Sequence, residues 1–220
     1  MHSPLTQRIE TLHALGRQLQ QMPEIQTAIA TAERYNPWFT PRFVSQSIQA
    51  ICQQMLQADK LNEWLRAYPM HEVPKTIGLV FAGNIPLVGF HDFLCAYVCG
   101  CNMVIKLSSK DEQLFPAVLQ ALGKADPTEH QRVQLVEKLT GFDGVIATGS
   151  DNTNRYFEYY FRNYPNLLRR NRNSVALLTG QETDEELRAL ADDVCMYFGL
   201  GCRNVSKIYV PRGYDVANLL

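Results

Sequence analysis

The chain has 220 residues, which is enough for one large α/β domain or for one domain and part of a second. Hydrophobic residues make up 46% and charged residues 20%, proportions that exclude a disordered, collagen-like or coiled-coil chain. The formal net charge of −1 argues against a general polyanion-binding surface, so any basic site must be local.

The cysteines and the first residues indicate a cytoplasmic protein. Residues 1–6 do not combine a basic start with an apolar core, so we expect no secretory signal. We therefore expect reduced thiols, and we interpret Cys95, Cys99 and Cys195 as core residues because they lie in apolar helical patterns. Polar residues and a proline interrupt the apolar run over 77–105, which argues against a membrane span.

The first seventy residues predict a helical region. Apolar residues recur there at three- and four-residue spacing, as in Ile9, Leu12 and Leu15. An interruption at Asn36-Pro37-Trp38 precedes Thr40-Pro41, which predicts the cap and the first residue of a further helix.

From residue 75 onward, short apolar runs alternate with helical patterns. This alternation favours parallel pairing through right-handed crossovers, and so predicts an α/β fold with a doubly wound, mostly parallel sheet. Ligands of such sheets bind at the carboxyl ends of the strands. The predicted strands cover 76–81, 103–107, 144–147, 174–178 and 206–210, and the predicted helices cover 86–98, 111–122, 128–139, 155–162 and 184–198.

Four strand ends carry small and polar residues, at 83–86, 106–109, 148–150 and 199–202. The chain contains no G-x-G-x-x-G, no P-loop and no G-x-S-x-G segment. These absences argue against a standard dinucleotide fingerprint, a P-loop ATPase and a serine hydrolase.

In their order along the chain, these four segments resemble motifs of the aldehyde dehydrogenase superfamily. Asn84-Ile85-Pro86 is similar to its N-x-P, and Lys106-Leu107-Ser108-Ser109 to its K-P-S-E. Thr148-Gly149-Ser150 with Arg155 is similar to its T-G-S-x-x-x-G-R, and Gly201-Cys202 to its G-Q-x-C with one residue fewer. The amino-acid sequences of segments 83–92 and 199–207 resemble the LuxC-type acyl-CoA reductases more closely still.

The resemblance covers about residues 36–210 and implies a domain organisation. We expect an N-terminal helical region over 1–70, an aldehyde dehydrogenase-like dinucleotide-binding domain over 71–198 and the start of a truncated catalytic domain over 199–220. The chain is therefore expected to be a fragment of a protein that is a homo-oligomer at full length.

The resemblance assigns the catalytic roles to Cys202 and Asn84. Cys202 is the expected nucleophile, since it lies between a glycine-bounded turn and Arg203 and a nearby positive charge favours a thiolate. Asn84 is the expected side-chain donor to the oxyanion of the attacked thioester, together with the backbone N–H of Cys202. The alternatives are a small buried hydrophobe for Cys202 and a simple helix cap for Asn84.

The expected cofactor residues are Lys106, Ser108, Ser109, Gly149 and Ser150. Lys106 ends a strand, where it can contact a ribose or phosphate, although an ordinary edge lysine is the alternative. Ser109 replaces a glutamate that grips the ribose diol, which removes repulsion toward a 2′-phosphate and favours NADP(H), with NAD(H) as the alternative. Ser150 begins a helix whose free N–H groups attract a pyrophosphate, a role compatible with an N-cap.

A missing carboxylate indicates the direction of the reaction. Aldehyde dehydrogenases that hydrolyse their acyl-enzyme carry a glutamate base where this chain has residues 166–172, which contain no carboxylate. An acyl group on Cys202 should therefore persist. We predict the NADPH-dependent reduction of fatty acyl-CoA, or of another acyl thioester, to an aldehyde.

Two other functions are alternatives to this prediction, and a metal site is a further possibility. One alternative is a related NAD(P)-dependent aldehyde or semialdehyde dehydrogenase. The other is a nucleic-acid-binding module built on the arginines and aromatic residues of 155–172, but Phe157, Phe161 and Tyr164 fall on one helical face, so we expect core packing and no nucleic acid. We expect no metal, because His91-Asp92 would diverge within a helix and the cysteines near it lack a fourth ligand.

Overall fold

A computed structural model describes residues 4–68 and 75–219. The chain divides into two compact units, Met1–Arg170 and Asn171–Leu220. The domain bounds expected from the resemblance remain a prediction.

The first unit begins with four helices, as the spacing of apolar residues predicts. Thr40 caps the third helix by accepting a hydrogen bond from the backbone N–H of Phe43, and Pro41 is its first residue, which confirms the predicted helix start. These helices are α1 (Pro4–Gln18), α2 (Pro23–Tyr35), α3 (Pro41–Ala50) and α4 (Ala58–Leu65), with short 3₁₀ and π turns at Leu19–Gln21 and Ile51–Met55.

A five-stranded parallel sheet follows, in the order β3-β2-β1-β4-β5. The α/β fold with a mostly parallel sheet and N-terminal helices is therefore confirmed. The strands are β1 (Thr76–Val80), β2 (Asn102–Lys106), β3 (Val133–Leu135), β4 (Gly144–Thr148) and β5 (Asn166–Arg169). The helices between them are α5 (Phe90–Val98), α6 (Leu114–Ala125), α7 (Pro127–His130) and α8 (Asp151–Phe161).

Two apolar clusters cover the two faces of this sheet. Leu79 belongs to the main cluster, which includes the N-terminal helices, whereas Val80 belongs to a smaller one. Successive strand residues point to opposite faces, so the two clusters lie on opposite sides. Phe157 and Phe161 pack against the smaller cluster as predicted, whereas Tyr164 lies beyond the end of α8 and is 43% exposed. In the described residues, no helix is both long and apolar enough to cross a membrane.

The structure corrects three predictions about local structure. The helix predicted over 128–139 is wrong, because α7 ends after four residues and β3 follows, paired with β2. The helix predicted over 86–98 begins only at Phe90. No strand was predicted at β5, an edge strand of the sheet with exposed and half-buried residues.

The second unit contains a parallel pair of strands and one long helix. β6 (Ser174–Leu177) pairs with β7 (Val205–Tyr209) in a sheet of their own. Both strands match their predicted positions to within one residue. The helix α9 (Asp184–Cys195) starts with a reciprocal cap between Thr183 and Glu186, and a 3₁₀ turn over Met196–Gly199 ends it earlier than predicted.

Candidate active site

Three central strands of the first unit end at the same level. In the register of the sheet, Val80 of β1 lies beside Lys106 of β2 and Ala147 of β4. The loops that follow these strands therefore emerge side by side at one edge. This edge brings together the segments that carry Asn84, Lys106 and Ser150.

The loops after β1 and β2 are in direct contact. A Cβ placed on Gly83 would lie 2.6 Å from Oγ of Ser108, so only glycine permits this approach. The side chain of Asn36, buried at the end of α2, donates to the backbone carbonyl of Lys110 at 3.1 Å. This hydrogen bond fixes the loop after β2 to the N-terminal helices. The candidate oxyanion and cofactor loops thus form one packed structure.

The segment 84–89, called here the Asn84 loop, is held in an unusual conformation. Leu87 has a φ of 56°, in the left-handed region that non-glycine residues rarely adopt. The backbone N–H of Leu87 donates to Oδ2 of Asp111 at 3.0 Å, and Oγ of Ser47 donates to the carbonyl of Pro86 at 2.7 Å. Both supporting side chains are buried. Strained backbone of this kind often marks functional sites.

Asp111 also connects the Asn84 loop to α6. Its Oδ1 accepts a hydrogen bond from the backbone N–H of Leu114 at 3.4 Å, at the start of that helix. Burial raises the pKa of Asp111 to about 6, against the opposing effect of the N–H donors of Leu87 and Leu114. Asn84 itself is half-buried, and α5 has Gly89 as its N-cap, so Asn84 does not cap this helix.

Lys106 and the two serines after it line the neighbouring loop. Lys106 is exposed and donates from Nζ to the backbone carbonyl of Glu137 at 2.8 Å, which keeps its ammonium group beside the sheet edge. Ser108 accepts a hydrogen bond from the backbone N–H of Lys110 at 3.3 Å. Ser109 is exposed, and a ligand at this edge could contact its hydroxyl.

The loop after β4 leads into α8 through Ser150, which is the N-cap of this helix. Its Oγ accepts a hydrogen bond from the backbone N–H of Thr153 at 3.3 Å, which confirms the N-cap interpretation. Asn154, 1% exposed, donates to the carbonyls of Gly149, Ser150 and Arg169 at 2.9, 3.2 and 3.1 Å. Asn154 was missed in the sequence, although a polar residue on the inner face of a helix could have signalled it.

A partly buried ion pair joins α5 to the end of β5. Asp92, whose side chain is 5% exposed, pairs with Arg169, and Nδ1 of His91 lies 4.0 Å from Oδ1 of Asp92. The interaction with Asp92, and secondarily with Cys95, raises the pKa of His91 to about 9. No role for this ion pair was predicted from the sequence, in which His91-Asp92 belongs to the LuxC-like segment 83–92 and was rejected as a metal pair. Among the described residues there is no group of three or more His, Cys, Asp or Glu side chains that could hold a metal ion.

Cys202 lies in a turn of the second unit, between α9 and β7. The backbone N–H of Asn204 donates to the carbonyl of Gly201 at 3.0 Å, so Cys202 and Arg203 are the central residues of this turn. Cys202 is exposed. The alternative that Cys202 is a small buried hydrophobe is therefore wrong.

Exposure alone does not distinguish Cys202 from the other thiols. Cys99 and Cys195 are also exposed, so their interpretation as core residues is wrong, whereas Cys95 is half-buried. Cys99 directly follows α5, and Cys195 is the last residue of α9, a helix without buried residues. Cys52 is buried, and its burial raises the pKa of this thiol to about 11.

Helix α8 also carries an exposed aromatic surface. Tyr156, Tyr159 and Tyr160 are each about two-thirds exposed, and the guanidinium of Arg162 lies 5.1 Å from the ring centroid of Tyr159. The core packing of Phe157 and Phe161 thus explains only one face of this helix.

The fold of this chain is similar to that of solved aldehyde dehydrogenases. Three solved structures illustrate the likeness. A succinic semialdehyde dehydrogenase from Streptococcus pyogenes in complex with NADP+ is 15% identical, with a TM-score of 0.71, 95% of this chain covered and 50% of that one. An NAD-dependent benzaldehyde dehydrogenase from Corynebacterium glutamicum is 13% identical, with a TM-score of 0.76 and coverage of 99% and 53%.

The third is a glyceraldehyde-3-phosphate dehydrogenase from Methanocaldococcus jannaschii complexed with NADP, at 16% identity, a TM-score of 0.70 and coverage of 98% and 52%. The chain spans about half the length of these structures. None of the curated proteins matches it. The family model described as acyl-CoA reductase (LuxC) matches residues 8–217, and the chain belongs to this family.

Proposed function

We propose that this chain carries the cofactor-binding and nucleophilic parts of an enzyme that reduces an acyl-CoA, or another acyl thioester, to an aldehyde with NADPH. The observation that carries the proposal is the common level at which β1, β2 and β4 end, which groups Asn84, Lys106 and Ser150 at one edge of the sheet. Membership of the LuxC family supports the acyl thioester as the substrate class.

The residues at this edge fit a dinucleotide phosphate. Helix α8 is 11 residues long, and its N-terminus with the exposed Ser150 offers backbone N–H groups and a partial positive charge to a pyrophosphate. The Nζ of Lys106 and the hydroxyls of Ser108 and Ser109 are suited to a ribose and its 2′-phosphate. When bound, the cofactor supplies the hydride that reduces the acyl carbon.

Cys202 supplies the covalent step. Its thiolate attacks the carbonyl carbon of the acyl thioester, a new carbon–sulfur bond forms, and CoA leaves as a thiolate that takes up a proton. Negative charge develops on the carbonyl oxygen during this attack, and the side-chain amide of Asn84 is the proposed donor to it. Losing one such donor typically costs about 3 kcal/mol of transition-state stabilisation.

The acyl-enzyme is expected to await reduction because residues 166–172 contain no general base for its hydrolysis. In the structure, this stretch includes β5, where Arg169 pairs with Asp92. After reduction of the acyl carbon, the Cys202 thiolate leaves and the aldehyde is released.

Mass spectrometry of the protein after incubation with an acyl-CoA tests the proposal. We expect a mass increase of one acyl group, mapped by peptide analysis to Cys202 and reversed by hydroxylamine. Cys202→Ser should abolish the adduct, whereas Cys195→Ser, which removes an exposed thiol of the same unit, should retain it. An adduct on another cysteine, or no adduct at all, would refute the assignment.

Cofactor binding is measured separately by fluorescence titration with NADPH. Lys106→Ala should weaken binding, because it removes the exposed ammonium group beside the sheet edge. Unchanged affinity in this variant would contradict the proposed cofactor edge without bearing on Cys202.

A further inference from the structure

The turn that precedes Cys202 has an unusual backbone. Tyr197, Phe198 and Gly199 follow one another with φ values of 51°, 56° and 71°, all in the left-handed region. Only glycine adopts this region without a steric cost, so two consecutive non-glycine residues in it must be held by their surroundings. Three residues later the chain reaches the proposed nucleophile.

The side chain of Asn204 connects both ends of this turn. Its Nδ2 donates to the backbone carbonyls of Asp193 and Met196, at 2.8 and 3.0 Å, where α9 ends and the turn begins. Its Oδ1 accepts a hydrogen bond from the backbone N–H of Gly201 at 2.8 Å, immediately before Cys202. Asn204 is itself only partly exposed.

We infer that Asn204 is the positioning residue of the nucleophile: its three side-chain hydrogen bonds hold the left-handed turn over 197–199 closed and so fix the backbone from which Cys202 projects. This inference rests on the proposed function, because it gives Asn204 a role only if Cys202 is the residue that is acylated.

An amide suits this role better than other side chains of its size. A carboxylate could accept from the N–H of Gly201, but it would set oxygen against the carbonyl oxygens of Asp193 and Met196. An alanine would leave all three backbone groups without this partner. Nucleophilic attack depends on the placement of the reacting atom, and a displacement of about 1 Å can slow a reaction roughly 100-fold.

The test compares two reactions of the same thiol. Acylation by an acyl-CoA requires Cys202 to be placed correctly, whereas alkylation by iodoacetamide requires only an accessible thiol. In Asn204→Ala we expect acylation to slow roughly 10- to 100-fold and alkylation of Cys202 to change less than about twofold. Asn204→Asp should be impaired as well, because it keeps one of the three hydrogen bonds. Asn173→Ala, at an exposed position of the same unit, is the matched control.

The outcomes separate the inference from the proposed function. If the unmodified protein is not acylated on Cys202, the proposed function fails and the inference falls with it. If Cys202 is acylated and Asn204→Ala reacts at the rate of the unmodified protein, only the inference is wrong. Slowed acylation together with a loss of helical circular dichroism in Asn204→Ala would assign Asn204 a role in folding alone and would also overturn the inference.

A measurement on the unmodified protein covers the case in which the variants do not fold. Hydrogen exchange should show the Gly201 amide protected well beyond the rate of an unstructured peptide, since it donates to the Asn204 side chain. Exchange at the unstructured rate would mean that the turn is not held closed, and the inference would be refuted.

Discussion

Asp111 keeps a carboxyl group where little water reaches it, and this placement should reverse the usual effect of pH on stability. Its side chain supports the strained backbone at Leu87 and the start of α6. Burial raises its pKa from 3.8 to about 6. Between these two values the folded protein binds the proton more tightly than the unfolded chain does. The contribution of Asp111 to the free energy of unfolding therefore falls as the pH rises from about 4 to 6.

The magnitude follows from the size of the shift. A change of about two pKa units corresponds to about 3 kcal/mol of differential interaction between the two protonation states. Ionised Asp111 should thus lower stability by about that amount above pH 6, and the cost should disappear below pH 4. This cost is a large fraction of the free energy of unfolding of a typical domain, so it should be measurable.

Urea unfolding of the unmodified protein and of Asp111→Asn, followed by circular dichroism between pH 4 and 7.5, isolates this contribution. The difference in the free energy of unfolding between the two proteins, plotted against pH, reports Asp111 alone, because the other titrating groups contribute equally to both. We expect the unmodified protein to lose about 3 kcal/mol relative to the variant across this range. Glu112→Gln, at the exposed neighbouring position, is the control.

Two results would refute the reasoning about Asp111. A pH-independent difference would mean that its pKa is the same in the folded and unfolded states. A difference that grows in favour of the unmodified protein as the pH rises would mean that the N–H donors of Leu87 and Leu114 outweigh burial, so that the pKa is lowered.

Three further predictions concern the same edge of the sheet. Ser47→Ala should lower the free energy of unfolding by about 1–3 kcal/mol in chemical denaturation, because the buried carbonyl of Pro86 loses its donor. The control Ser45→Ala, on the exposed side of α3, should cost almost nothing. Equal effects of the two substitutions would contradict this prediction. Gly89→Ala should destabilise by about 3 kcal/mol, because a Cβ there would overlap the buried ring of Phe81, and an unchanged melting temperature would disprove it. Ser109→Glu should weaken NADPH binding roughly tenfold relative to NADH, as repulsion of the 2′-phosphate would do; an unaltered ratio in paired titrations would count against the proposed role.

The central strands could be predicted because each carries a recognisable local pattern. β1, β2 and β4 are short apolar runs that lie in the middle of the sheet. β3 and β5 are the two edge strands, and polar residues such as Gln134 and Arg169 interrupt their apolar character. Their pairing depends on the neighbouring strand, which no local pattern describes.

The same distinction applies to the candidate site. Asn84 and Lys106 could be proposed from the sequence because they belong to motifs at strand ends. Asp111, Asn154 and Asn204 were missed because each also acts on backbone groups that only the fold brings near its side chain. A polar residue that stabilises a loop through its backbone is harder to recognise in a sequence than a residue that belongs to a known motif.

The close approach of Gly83 to Ser108 also limits how this protein could be re-engineered. Replacing the loop after β2 with a different sequence would bring a new surface against the loop after β1. A side chain at position 83 would overlap the residue at position 108 of the loop after β2. A variant in which the loop after β2 is replaced would therefore have to carry a matching replacement of the loop after β1.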